Sequence, residues 1–275
     1  MSRTIYPNAP VVLAVFEVQH LPTPPLQGRD LGRAQDSLQD VAPLHRVDMA
    51  RQLQGQFDLK GGVNPQVTAQ TQAVSVHRFY TRARELAISY SPASFSLEVS
   101  VYRGWNRFAD ALRRGLEAIA RPDGTLRIDG IERIGLRYLD EVRVPGRVPG
   151  AGWSDWISPE LLPPKPPEGF SLLQQQSLAQ YGVNHGADSV TLRYGVVNGP
   201  SAFVSTPHLA RPAAPVAPYF LLDTDASWMA KPGEPLAEPA VEALATVAHR
   251  LHAAAKAMFE NSITDKLRNE VLIHD

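Results

Sequence analysis

Four groups of residues in this chain have the types and spacing to do chemistry. Asp223 and Asp225, in Leu-Leu-Asp-Thr-Asp, stand two positions apart, which on a strand puts both carboxylates on one face. Such a pair can hold a hard divalent cation or divide acid and base roles. Their simpler role is to leave the strand beside an arginine, and no metal centre is favoured, because a cation needs further oxygen ligands from elsewhere. His249 and His252, in His-Arg-Leu-His, lie one helical turn apart with Glu260 two turns further on. The spacing is not that of a zinc-protease helix. His252 abuts the apolar flank, so a hydrogen-bonded structural histidine is the preferred reading. His185 and Asp188, in Gly-Val-Asn-His-Gly-Ala-Asp-Ser, could form an active-site loop with the histidine as general base. A strand-connecting turn explains the same letters. Nucleophile-elbow, phosphate-loop and dinucleotide fingerprints are absent, so no cofactor is expected.

The fourth group is arginines among apolar residues. In Arg-Ile-Gly-Leu-Arg-Tyr-Leu (133–139), alternation sends Ile134, Leu136 and Tyr138 to one face and Arg133 and Arg137 to the other, flanking Gly135. Leu-Arg-Tyr recurs around Arg193. The most basic segment, His77–Arg84, interleaves Arg78 and Arg82 with Phe79 and Tyr80, and Arg103, Arg107, Arg113 and Arg114 follow nearby. A basic, aromatic-bearing sheet face can hold single-stranded nucleic acid. Arg78, Tyr80, Arg82, Arg133, Arg137 and Arg193 are therefore the candidate binding residues. The competing reading is ion pairing, for which Glu98, Glu132, Asp140 and Glu141 supply partners.

The elements that must position these groups follow from periodicity. Val11–Val18 reads as a first strand, and Gln27–Gln56 as one or two polar helices. Ala73–Tyr80, Glu85–Ser91 and Ser94–Val101 read as strands joined by tight turns. Trp105, Phe108, Leu112, Leu116 and Ile119 form the stripe of an amphipathic helix, which Arg-Pro-Asp-Gly stops. Strands follow at Ile131–Val144, Phe170–Tyr181 and Ser189–Val197, then Ala202–Thr206 and Tyr219–Asp225. A short helix is expected in 153–162, and a long one runs from Pro239 to about Asn261. The segment 263–272 continues that helix or packs as a second one. Pro- and Gly-rich stretches at 145–152 and 163–169 suit surface crossings. The result is an α+β fold, with antiparallel sheet and helices on one face, in two similar meander-plus-helix halves. The halves span 1–146 and 151–275, or form one continuous domain.

Composition narrows the classes. The 275 residues carry 27 basic and 28 acidic side chains, a net charge of -1, so no global field draws the chain to nucleic acid or membrane. No cysteine is present, which removes disulfides, thiol nucleophiles and thiolate-bound metals. No apolar run approaches the roughly 20 residues that span a bilayer. The run Val11–Phe16 reads as a buried strand rather than a signal peptide, since Pro7 and Pro10 precede it and Glu17 ends it. A cytoplasmic protein is expected.

Four motifs in order carry a resemblance over nearly the whole chain. They are Tyr6–Val18 with its Asn-Ala-Pro-Val-Val, Gly-Leu-Arg-Tyr (135–138), Leu-Leu-Asp-Thr-Asp (221–225) and Leu251–Arg268 with its Leu-His, Phe-Glu and Ile-Thr. Together they resemble a sporadically distributed family of uncharacterised bacterial proteins known by a model number. Leu13 departs from it, standing where an acidic residue is expected. The resemblance implies a bacterial origin and gene neighbourhoods of the defence or toxin–antitoxin kind, but no reaction. The first functional reading is a non-enzymatic binding component of a bacterial multi-protein system, with a protein partner and room for self-association. The second is a nucleic-acid-binding or RNA-processing protein using the arginine face. The third is a metal-assisted enzyme centred on Asp223 and Asp225. The residues lean away from an enzyme.

Overall fold

The first strand sets the plan. In β1 (Val11–Leu21) alternate residues Val12, Ala14, Phe16 and Val18 are buried, and Leu13, Val15 and Glu17 between them are only half-buried. One face therefore meets a dense core and the other meets a thinner cover. The computed structural model describes residues 6–58, 66–146, 152–183, 188–214, 216–231, 233 and 239–273.

Eight further strands join β1: β2 (Leu44–Asp58), β3 (Gln66–Tyr80), β4 (Leu86–Ser91), β5 (Ser94–Val99), β6 (Asp129–Val142), β7 (Ser177–Val183), β8 (Asp188–Val197) and β9 (Tyr219–Met229). They form one antiparallel sheet in the order β2-β3-β4-β5-β1-β6-β9-β8-β7. The fold is α+β. The two halves of the chain meet inside this sheet, where β6 pairs with β9.

Three helices cover one face: α1 (Gly28–Leu38), α2 (Trp105–Ala118) and α3 (Val241–Ser262). The predicted stripe of α2 is the buried one, with Phe108, Leu112 and Leu116 at most 3% exposed. Gly115 lets α2 approach the sheet, since a Cβ there would lie 3.1 Å from the Phe95 ring. Tyr90 adds a hydrogen bond from its hydroxyl to the Gly115 carbonyl at 2.7 Å. α3 crosses β6 and β9 with Leu244, Ala248, Leu251 and Ala255 in the core. A second cluster, around Trp153, Phe220, Leu222 and Ile263, closes the far end with a short helix (Asp265–Leu267) and a π-helical turn (Arg268–Leu272).

Several expectations are corrected. Only the first part of 27–56 is helical. Leu44 and Val47 mimic helical spacing, but residues 44–58 pair with β3 along their whole length. β3 pairs with β4 only through His77–Tyr80, so the rest of the β2–β3 hairpin projects from the sheet as a two-stranded ribbon. Ala202–Thr206 is irregular, strand structure in 170–181 begins only at Ser177, and the helix expected in 153–162 is a single 3-10 turn, Pro159–Leu161.

Candidate binding face

Strand register brings the recurrent arginines together. β9 lies between β6 and β8, so both Leu-Arg-Tyr motifs flank it. Leu136 and Leu192 point into the core at 0% and 1% exposure, which forces Arg137 and Arg193 onto the open face. Both converge on Asp223. Arg137 donates from Nε and Nη2 to its two oxygens at 2.6 and 2.8 Å, and Arg193 Nη1 stands 3.5 Å from Oδ2. The Asp223 side chain is only 5% exposed, yet Arg137 and Arg193 are 46% and 48% exposed. Arg133 binds both oxygens of Asp225 at 3.0 and 2.9 Å and reaches Glu17 at 3.3 Å. Its guanidinium lies over Gly135, where a Cβ would come within 2.5 Å of Nη1. A side chain at this strand position would displace the guanidinium.

The six candidates do not form one patch. Arg133, Arg137 and Arg193 share the β6–β9–β8 region. Arg78 and Tyr80 sit on β3, four strand steps from β6, roughly 19 Å at the usual strand spacing. Arg78 donates to Asp48 (2.9 Å) and Ser89 (2.8 Å). Arg82 is exposed in the turn after β3, and Arg113 pairs with Glu242 on the helical side.

The β8–β9 connection straps over the β3–β5 part of the open face. Glu141 accepts hydrogen bonds from Ser201 Oγ (2.5 Å) and the Ala202 amide (2.6 Å). Arg211 donates to the carbonyls of Val11 and Ser100 at 3.0 and 2.9 Å. Under the strap, His208 is buried 4.0 Å from Glu98, and its Nδ1 has no partner among the described residues. Burial raises the Glu98 pKa, and burial, then Arg78, lowers that of His208. The strap leaves the β6–β9–β8–β7 end uncovered. There Leu178, opposite Arg193, and Met229, opposite Arg133, are 64% and 56% exposed.

The other chemical groups are tied into the architecture. His252 stacks on Trp105 at 4.1 Å and shares a 3.0 Å hydrogen bond with Tyr138. Trp105 Nε1 donates to His249 Nδ1 at 2.9 Å. Glu260 is engaged by Tyr6 and Arg268, away from the histidines. Asp188 is held by Arg250, and His185 lies outside the described residues. Asp223 and Asp225 are arginine partners, engaged by Arg137 and Arg133, and among the described residues no group of three or more His, Asp or Glu is placed to hold a metal ion.

Sequence reasoning missed Asp140 as a buried group. It continues the alternation of Ile134, Leu136 and Tyr138 and so falls on the core face, where it is 2% exposed. Burial, then Asp223, pushes its pKa up to about 8. The period-two pattern alone would have placed it. His208 carried no such signal, because its burial depends on where the strap lands. Among the described residues no helix is long and apolar enough to cross a membrane. No protein-family model matches the chain, and no curated protein is significantly similar to it.

Proposed function

We propose that the chain is a non-enzymatic binding component that docks a protein partner on its open β6–β9–β8–β7 face. One observation carries this reading: on one sheet face, exposed Leu178 stands opposite half-exposed Arg193 and exposed Met229 stands opposite Arg133. Apolar residues next to arginine are the usual make-up of a protein–protein hot spot. The uncovered edge strand β7 supports it, since SLAQYGV carries no charge or proline to discourage pairing. Nucleic acid fits this face less well. Arg133, Arg137 and Arg193 are matched by Glu17, Asp223 and Asp225, so a polyphosphate meets no net positive field. A bacterial, cytoplasmic multi-protein system of the defence or toxin–antitoxin kind, with the four-motif family resemblance behind it, completes the proposal.

The test is co-purification of the tagged chain from its own host, at low and high salt. A stoichiometric protein partner is expected, lost in Leu178→Asp and Met229→Asp while melting temperature is kept. Retention of the partner by both variants rejects this face. Recovery of nucleic acid, released steeply by salt, favours the nucleic-acid reading instead.

A further inference from the structure

Asp223 is one buried carboxylate shared by two half-exposed guanidiniums. Arg137 uses Nε and Nη2 on it, and its Nη1 donates to no described residue. The Arg193 side chain makes no hydrogen bond among the described residues, and its nearest carboxylate oxygen is the one 3.5 Å away. Two cations over one anion leave one local positive charge. Both side chains are about half exposed, and the Asp223 contacts already hold the Arg137 head in place.

We propose that Arg137 and Arg193 form a preformed fork for a single carboxylate of the docked protein, an Asp or Glu side chain or a chain terminus. Planar guanidinium groups match a carboxylate in bidentate geometry, and bonds between charged partners are the stronger ones. Glu17 and Asp225 on the same face disfavour a multiply charged ligand, so one negative charge fits where a phosphate chain does not. Leu178, opposite Arg193 across β7 and β8, gives the residue beside that carboxylate an apolar seat. The fork deepens the docking reading and rests on it.

The experiment follows the arginine Nε–Hε resonances of the full chain by NMR at low salt. The probes are N-acetyl-Leu-Glu-Leu-amide, its Gln counterpart, inorganic phosphate and a ten-nucleotide oligothymidine. Saturable shifts at Arg137 and Arg193 are expected with the Glu peptide and not with the Gln peptide. Arg193→Gln keeps Asp223 bonded to Arg137, so it retains the fold, and it is expected to weaken Glu-peptide binding about tenfold. Arg193→Lys, which keeps the charge and loses the fork, falls between. Equal response to both peptides, unchanged affinity in Arg193→Gln, or tighter binding of phosphate or oligothymidine would each overturn the fork. These probes contain no partner protein, so the fork can fail while Leu178→Asp still releases the partner. The docking reading fails only if it does not.

Discussion

Asp140 is a carboxylic acid held among Tyr102, Tyr138 and the apolar side of β6, with a pKa near 8. An unfolded aspartate ionises near 3.9. Between those values the unfolded chain has lost a proton that the folded chain keeps, so stability falls as pH rises from about 4 to about 8, by about 1.4 kcal/mol per unit. His252 titrates with the opposite sign in part of this range, so the slope is read as the difference in urea stability between the chain and Asp140→Asn, which should move in the variant's favour towards pH 8. His252 has the opposite sign. Burial, then Lys256 and His249, lowers its pKa to about 4. The unfolded chain then binds the extra proton between about 6.5 and 4, and stability falls as pH drops through that window. His252→Gln should remove this acid loss in the same titration. At this scale the sequence identified the right letters but not which arginine meets which carboxylate. Asp223 and Asp225 read as strand carboxylates beside an arginine, with a cation pair as the alternative, and the arginines that claim them lie 86 and 92 positions away along the chain.

At the scale of the element, two glycines make contrasting claims. A Cβ on Gly135 meets the far end of the Arg133 side chain, which can swing aside. Gly135→Ala should therefore fold normally and cost about 1 kcal/mol, the worth of the disturbed pair with Asp225. A Cβ on Gly195 would lie 2.0 Å from the Gln175 carbonyl oxygen, at a φ of 154°. Backbone cannot step aside as a side chain can, and Gly195→Ala should cost about 2–3 kcal/mol. Thermal unfolding of the two variants ranks them, and an equal loss would refute the distinction. Elements with one strong period were legible: β1, β6, β9, α2 and α3. β2 was not, because its polar composition hid the alternation, and its strand character is fixed by the partner β3.

For the whole molecule, the α+β class with antiparallel strands was visible in the order of elements, but strand order was not. Nothing local says that β1 lies at the centre or that β6 and β9 form the seam. The seam makes each half depend on the other. Ile134, Leu136 and Tyr138 of β6 share one core cluster with Leu244, Ala248 and Leu251 of α3, which belongs to the second half. Cutting the chain at residue 146 would strip that helix away, unpair β6 from β9 over Arg133–Val142 and leave an apolar face in water. A fragment of residues 1–146 is therefore expected to aggregate or to bind hydrophobic dye as a loosely packed species. The full chain should unfold in one transition, with near- and far-ultraviolet circular dichroism coinciding. Mixing the two separately expressed fragments should restore a folded complex only if β6 and β9 re-form their ladder. A proline at Leu136, which removes an amide from that central strand, should prevent the rescue. A soluble 1–146 fragment with native-like near-ultraviolet signal would show instead that the halves are independent domains that happen to share a sheet.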